Sequence, residues 1–350
     1  MPNKITLYPI YALADAIDGQ PFNHSVLPFE IMEGITIEAV SPMFNDETFA
    51  WVRNELGRRD LADVQGVRYA IVHRYRTDDP IEGGNPDQQS EKLVKNLAAC
   101  LRLIRPMRQR ASLMRGKLRE NGTIDMQHFE HPVDLLEVPE VQKLFHLRNS
   151  DAELLRAVAN EFLRAMRGEF WKFRMAVEFH EAGHFQDWYW KARYLLWCSA
   201  VEAIFTSRDW EHRGSLVAKE RVKWFLGANT SIYEPGDIPD FVPQLNITIG
   251  DVVDDLYRVR NLIAHGDRIP DEFFQRQMRQ GLNGALNVLA VLNEAVSFIV
   301  RKSLLRVIQD NLLDHFASAG AAENYFALAG LTLSGIRQRQ RQQVPGDEEE

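Results

Sequence analysis

The sequence predicts an α+β protein with a mixed N-terminal half and an all-helical C-terminal half. Three stretches before residue 80 are rich in β-branched and aromatic residues, a composition typical of strands. After residue 150 the apolar residues recur at helical spacing instead. A chain of 350 residues is long enough for two domains with separate cores. We therefore predict a mixed α/β domain over residues 1–149, a helical domain over 150–335 and a disordered tail over 336–350.

The composition predicts a cytoplasmic protein with reduced thiols. Hydrophobic residues make up 45% of the chain and charged residues 26%, as in ordinary globular proteins. We find no apolar run that would span a bilayer and no signal-peptide pattern. Cys100 and Cys198 lie in apolar, helical sequence, which favours buried thiols over disulfides. The net charge of −8 argues against broad nucleic-acid affinity, so any nucleic-acid site must be a local basic patch or a cleft between two subunits.

The N-terminal half alternates strand patterns with helical ones. Strands are predicted at residues 5–11, 35–40 and 67–72, and helices at 47–57 and from Gln88 to about Met107. Residues 77–89 contain several Gly, Pro, Asn and Asp residues and predict a loop. This half carries no recognisable catalytic constellation. Its arrangement beside a helical domain suggests a sensor or regulatory module that binds a regulatory partner or ligand.

The most basic stretch of the chain overlaps the end of that second helix and runs beyond it. Its cations are Arg102, Arg105, Arg108, Arg110, Arg115, Lys117 and Arg119. Such a cluster fits either a nucleic-acid or phosphate contact surface, or a solvated helix face with an adjoining loop. We favour the solvated face, because no aromatic residues interleave with the cations to stack bases.

The helical half is predicted to form an antiparallel bundle. Ser150 and Glu153 form a capping-box pattern that opens a long first helix, and Gly183 marks the joint before the second. Further helices are predicted at about 185–207, 214–226 and 248–265. A helix is predicted from Asp271, with apolar positions at Leu282, Leu286, Leu289, Leu292 and Val296, and further helix is predicted to about Leu333. The aromatic helix 185–207 is interpreted as bundle core or dimer face rather than a cofactor site.

A cation, an amide and an imidazole gather at the end of the 248–265 helix. Asn261 and His265 are i, i+4 neighbours on one face, and Arg260 projects beside them. An imidazole can move a proton on or off a ribose 2′-hydroxyl, and a guanidinium can hold a phosphate and stabilise its charge. Helix capping offers an alternative explanation, because His and Arg at a helix C-terminus interact favourably with the dipole.

Three segments of the helical half occur in the order and spacing of one known family. The first segment, residues 193–205, contains an aromatic residue, a Glu and a bulky pair. The second, residues 219–226, is a predicted helix between the first segment and the motif helix. The third is Arg260-Asn261-x-x-x-His265. The last segment matches the R-polar-x-x-x-H signature. Together the segments resemble HEPN domains, and in particular the Apea-like HEPN group, over about residues 150–300.

The resemblance implies a metal-independent endoribonuclease that acts as a homodimer and needs no cofactor. It implies that Arg260, Asn261 and His265 are catalytic and that the Arg and His of both protomers meet at one cleft. Arg258 and Arg268, which flank the motif, are assigned to substrate binding. Many HEPN proteins are toxins or antiviral effectors, so RNA is the expected partner. A HEPN domain can alternatively be a non-catalytic interaction or dimerisation module.

Glu202 stands among apolar residues of the second predicted helix. A buried carboxylate needs a partner, and an Arg of the motif helix is the obvious candidate. The alternative is that Glu202 faces solvent at a helix edge. If the pairing is correct, Glu202 supports the catalytic residues.

A second motif competes with the HEPN interpretation. His180-Glu181-Ala182-Gly183-His184 is a literal H-E-x-x-H, in which two His one turn apart can share a zinc and the Glu can act as general base. A zinc metallohydrolase using His180, Glu181 and His184 is therefore an alternative function. The polar flanks argue against a zinc hydrolase, and so does the lack of a recognisable third ligand downstream. A structural metal site and a plain pair of surface His are further alternatives.

Overall fold

The computed structural model describes residues 3–10, 27–76, 85–105, 110–130, 133–134, 148–184, 190–206, 214–233, 247–271, 273, 277–281 and 284–343. The chain divides into two compact units, Met1–Arg164 and Ala165–Glu350. A six-stranded sheet lies in the first unit, and the second is mainly helical, so the α+β class is confirmed. The division falls inside the helix that follows the predicted domain boundary, and that boundary stays a prediction.

The centre of the first unit is an antiparallel sheet. Its strands are β1 (Lys4–Ile10), β2 (Phe29–Met32), β3 (Ile35–Ala39), β4 (Tyr69–Tyr75), β6 (Met114–Leu118) and β7 (Ile124–Phe129). The strand order is β2-β3-β4-β1-β6-β7, and β1 pairs with β4 from Lys4 opposite Tyr75 to Ile10 opposite Tyr69. The short strands β5 (Arg110–Ala111) and β8 (Val133–Asp134) form a separate pair. All three predicted strands are confirmed as β1, β3 and β4.

Helices pack on both faces of this sheet. The helices α1 (Asp46–Glu55) and α2 (Arg58–Gly66) join a core cluster that includes Ile5 and Leu7 of β1. Helix α3 (Pro86–Ile104) packs against β1 and β4, where the Ser90 hydroxyl donates to Thr6 Oγ1 at 2.8 Å. Because side chains alternate along a strand, β1 presents Ile5 and Leu7 to one layer and Thr6 to the other.

The remaining helices are α4 (Asn149–Arg167), α5 (Trp171–His184), α6 (Trp190–Phe205), α7 (Gly214–Leu226), α8 (Ile249–His265), α9 (Val288–Gln309), α10 (Ala319–Leu328) and α11 (Leu333–Gln343). Within the second unit α6 and α9 pack against each other, and each also packs against α5, α7 and α8, so these two helices are central. Tyr194, Trp197 and Phe205 of α6 are buried, which confirms the interpretation of the aromatic helix as core. None of the described helices has the length and apolarity that crossing a membrane requires.

Two predictions about the first helices are wrong. Helix α4 begins at Asn149, and Asp151 rather than Glu153 accepts the Arg148 N–H at 2.9 Å. Asp151 is placed there by its ion pair with Arg105, at 2.9 Å. The long helix predicted from residue 150 to the joint at Gly183 is two helices, since α4 ends at Arg167 and α5 begins at Trp171; α5 itself ends at His184, one residue past the predicted joint.

Two predictions about the C-terminal part are also wrong. The helix predicted from Asp271 begins only at Val288, as α9. Residues before it form a hairpin of β9 (Gln277–Gly281) and β10 (Gly284–Asn287). The two Gly at the hairpin turn are poor helix formers, which the apolar spacing concealed. Helix α11 covers residues 336–343, which were predicted to be disordered, because Ile336 is buried and anchors it. The rest of the tail lies outside the described residues.

The basic stretch does not form one surface. Arg102 and Arg105 are buried, contrary to the expected solvated face, and donate to the Tyr8 hydroxyl and to Asp151. Arg115 pairs with Glu91 at 2.6 Å, and Arg119 pairs with Glu47. Arg108 and the Arg110 side chain lie outside the described residues. The prediction for the thiols is confirmed, because both cysteines are buried and free.

Candidate functional site

Helix α8 carries the motif and has well-formed ends. Thr248 caps its N-terminus in a capping box, in which Asp251 N–H donates to the Thr248 hydroxyl and Thr248 N–H donates to the Asp251 carboxylate. At the other end Gly266 takes a left-handed φ of 75° and its N–H donates to Ile263 O. The predicted bounds of this helix are therefore confirmed, and the motif occupies its last two turns.

Arg260, Asn261 and Glu202 form one contact group, which we call the Arg260 cluster. The Arg260 guanidinium donates from Nη2 to Glu202 Oε2 at 3.0 Å and from Nη1 to Asn261 Oδ1 at 3.2 Å. Both ionic side chains are half-buried, with 29% of Arg260 and 24% of Glu202 exposed. Glu202 therefore pairs with the motif helix, as the first of the two alternatives predicted. The pairing fixes the plane of the guanidinium.

The contacts beneath the Arg260 cluster are buried and hold α6 against α8. The Tyr194 hydroxyl of α6 donates to Leu256 O of α8 at 2.9 Å. Cys198, one turn before Glu202, is fully buried, and burial raises the pKa of its thiol well above the ordinary value. Burial also raises the pKa of Glu202, while Arg260 opposes that shift by favouring the carboxylate. The ion pair with Arg260 therefore supports the charged form of a carboxylate that burial disfavours.

His265 is the last residue of α8 and is exposed to solvent. It follows Asn261 by one turn, so both lie on the same side of the helix. Within the described part of the chain its ring makes no hydrogen bond or ion pair. The structure thus joins three of the predicted site residues directly and presents the fourth to solvent one turn away.

The two Arg assigned to substrate binding lie apart from the cluster. Arg258 precedes Arg260 by two residues, about 200° around the helix, and its guanidinium lies 5.0 Å from the centre of the Phe273 ring. Arg268 lies beyond the helix end and donates to Asp271 at 2.9 Å. Both side chains are exposed, so they can reach an extended ligand.

Two acidic residues of α8 have local cationic or capping partners. Asp254 pairs with Lys219 at 2.7 Å and with Lys223 at 3.3 Å, both on α7. Burial raises the pKa of Asp254, but the two lysines outweigh burial and hold it below the ordinary value. Asp251 is used in the capping box. The negative charge of Asp254 is therefore partly compensated, which weakens its repulsion of an approaching phosphate.

The two His of the H-E-x-x-H motif are buried rather than on the surface. His180 and His184 lie on one face of α5 with their Nε2 atoms 3.3 Å apart, and the Trp197 ring packs against both. Glu181 Oε1 lies 3.6 Å from the other ring nitrogen of His180, Nδ1, and so away from the nitrogens that would bind a metal. Among the described residues no group of three or more His, Cys, Asp or Glu could hold a metal ion. A zinc here would have two His ligands, and Asp187 lies outside the described residues.

No protein-family model, curated protein or solved structure matches this chain. The resemblance to HEPN domains therefore rests on the sequence segments around Glu202 and Arg260 and on the geometry between them.

The Arg260 cluster and His265 have the groups that phosphate chemistry needs. A guanidinium has five N–H donors, and the contacts with Glu202 and Asn261 occupy two of its nitrogens. The remaining N–H groups and the Asn261 amide can donate to phosphate oxygens. The exposed imidazole of His265, one turn beyond Asn261, can accept or donate a proton. The arrangement can bind a phosphodiester and transfer a proton beside it.

Proposed function

We propose that this protein is a metal-independent endoribonuclease of HEPN type, a cytoplasmic toxin or antiviral effector that cleaves RNA as a homodimer. The observation that carries the proposal is the Arg260 cluster. Its guanidinium is oriented by Glu202 on a separate helix, 58 residues away, and its member Asn261 precedes the exposed His265 by one helical turn. Cation, amide and imidazole are the groups needed to cleave RNA without a metal.

In the proposed reaction the ribose 2′-hydroxyl attacks the adjacent phosphorus. His265 accepts the 2′-hydroxyl proton, or holds the phosphate while its symmetry mate accepts the proton. Arg260 donates to the non-bridging oxygens, where negative charge develops, and Asn261 orients the reacting groups. The bond from phosphorus to the 5′-oxygen breaks, and that oxygen takes up a proton. The products carry a 2′,3′-cyclic phosphate and a 5′-hydroxyl.

A homodimer fits this reaction because the reaction needs both a base and an acid. Each Arg260 cluster is accompanied by one imidazole on the same helix end, His265. A second copy facing the first would supply the other imidazole. It would also exclude water from guanidinium groups that are 29% exposed in one protomer, which strengthens their hold on phosphate.

The test is cleavage of labelled single-stranded RNA and tRNA in EDTA. Wild type is expected to cleave and to leave 2′,3′-cyclic phosphate ends, while Arg260→Ala and His265→Ala lose about 10²- to 10⁴-fold in rate. The matched controls are Arg164→Ala and His315→Ala, which remove an exposed Arg and an exposed His elsewhere. Cleavage that survives in both motif variants, or that EDTA abolishes, contradicts the proposal. The second result would revive a zinc hydrolase at His180 and His184.

A non-catalytic HEPN interaction module is the second candidate. It is favoured by the charge compensation of Arg260 by Glu202, and by the position of His265, where an imidazolium stabilises a helix C-terminus. This candidate predicts a folded dimer that cleaves no RNA and keeps its dimer in Arg260→Ala and His265→Ala. Sedimentation of the three proteins beside the cleavage assay separates the two functions.

A further inference from the structure

A cavity of about 500 Å³ lies in the second unit and shares no lining residue with the Arg260 cluster. Part of the lining comes from α9, with Phe298, Lys302 and Arg306. Another part comes from the segment after α7, including Ser231 and Tyr233. Pockets that bind small molecules have volumes of roughly 300–1,000 Å³, so the cavity is large enough for one.

Helix α9 brings two cations to the cavity. Lys302 and Arg306 are i, i+4 neighbours and so lie on one side of the helix. Arg306 is held in place, because it donates to Asp310 at 3.0 Å and to Phe225 O, and its guanidinium stacks 4.8 Å from the Phe225 ring centre. Two cations and one carboxylate give the lining a net positive charge, in a chain whose net charge is −8.

The segment that carries Ser231 and Tyr233 is fixed by backbone pairing. Ile232 N–H donates to Ile247 O at 3.0 Å, and Ile249 N–H donates to Thr230 O at 2.9 Å, which pins the segment to the start of α8. The Ser231 hydroxyl accepts the Tyr233 N–H at 3.2 Å and, within the described residues, donates to no acceptor. Its proton is therefore available to an acceptor in the cavity.

The carboxyl group behind Tyr233 does not oppose an anion below about pH 7. Tyr233 neighbours Glu294, which is 4% exposed. Burial raises the pKa of Glu294 to about 7, while the Tyr233 hydroxyl works against the shift. The acid is therefore largely neutral below pH 7. The remaining lining is apolar at Leu226 and Phe298 and has one amide, Gln309, at an exposed position.

We propose that this cavity binds an adenine mononucleotide. Lys302, Arg306 and the Ser231 hydroxyl donate to the phosphate, as cations and hydroxyls do in phosphate sites. The adenine ring lies against the apolar lining. The Gln309 amide pairs with its edge, since an amide donates and accepts in the pattern that adenine N7 and N6 present. This site is independent of the proposed ribonuclease reaction.

Isothermal titration of the full chain with AMP at pH 6.5 tests the proposal. AMP is expected to bind the wild type, and adenosine and inorganic phosphate are expected to bind at least about tenfold more weakly. Lys302→Gln and Ser231→Ala should each weaken AMP binding about tenfold or more, because each removes a hydrogen bond to a charged group. The control is Lys223→Gln, which removes a cation outside the cavity lining. Melting temperatures of all variants confirm folding.

Absence of AMP binding to the wild type overturns the proposal. So does AMP binding that neither cavity variant weakens, or that Lys223→Gln weakens equally, because that indicates general attraction to a cation. Equal affinity for inorganic phosphate and AMP overturns the assignment of the adenosine part.

Discussion

Gly183→Ala separates the effect of local helix propensity from that of packing. Gly183 is the last residue but one of α5, where Ala is the better helix former by up to about 1 kcal/mol. In the structure a Cβ at this position would lie 2.6 Å from Cδ1 of Trp197 and closer still to its Nε1. The new methyl group would therefore displace the Trp197 ring. That displacement breaks existing contacts, because the ring packs against His180 and His184 and its Nε1 donates to His180 O at 3.1 Å.

The expected net effect on the free energy of unfolding is a loss. Forcing a methyl group into a packed core costs about 1–3 kcal/mol. Displacing the Trp197 indole from His180 O costs about 1 kcal/mol more. After the gain in helix propensity of about 1 kcal/mol, Gly183→Ala should destabilise the protein by about 1–3 kcal/mol.

The assay is equilibrium unfolding in urea, followed by tryptophan fluorescence and by circular dichroism. The control is Gly320→Ala in α10, where a new Cβ meets no atom within 4 Å. That variant should be neutral or stabilised by up to about 1 kcal/mol. If Gly183→Ala is as stable as Gly320→Ala, the close packing of Trp197 on Gly183 is wrong.

Three further outcomes are expected. The pKa of Glu294 is about 7 in the folded protein against 4.5 in the unfolded chain, so the wild type should lose up to about 3 kcal/mol of stability as the pH rises through that range. Glu294→Gln should remove this loss. Urea unfolding at pH 5 and pH 8 measures it, and an equal change in stability for both proteins would contradict the prediction. Arg221→Met should lower the free energy of unfolding by about 2–4 kcal/mol in the same assay, because the buried guanidinium donates to two backbone carbonyls and to Glu323. A loss below about 1 kcal/mol would mean that water takes over these hydrogen bonds. Glu202→Leu should slow RNA cleavage about 10²-fold by releasing Arg260, with Glu202→Gln less affected; equal rates in all three proteins would remove Glu202 from the site.

Helix α8 could be predicted from the sequence because every signal for it is local. Val252, Leu256 and Val259 recur at helical spacing and are buried, and Gly266 ends the helix by taking the conformation that Gly tolerates. The placement of Asn261 and His265 on one side of the helix follows from that spacing alone. The predicted strands of the first unit were found for the same reason.

Gly183 and Arg102 illustrate where local signals fail. Gly183 was interpreted as a helix joint and α5 does end one residue after it, but no local signal shows that its missing Cβ also makes room for Trp197, which is on another helix. Arg102 was interpreted as solvated because no aromatic residues interleave with the cations of its stretch, yet it is buried against the hydroxyl of Tyr8 on the sheet. Both contacts are made to a residue of another helix or strand.

The sequence by itself determined the α+β class, the motif helix and the order of Arg260, Asn261 and His265 along it. Only the tertiary structure decided that Glu202 orients Arg260, that His180 and His184 are buried, and that Ser231 and Lys302 line one cavity. The physical reason is the range of the interactions. Helix spacing and capping act within a few residues, whereas an ion pair, a buried ring or a cavity wall depends on which helices pack together.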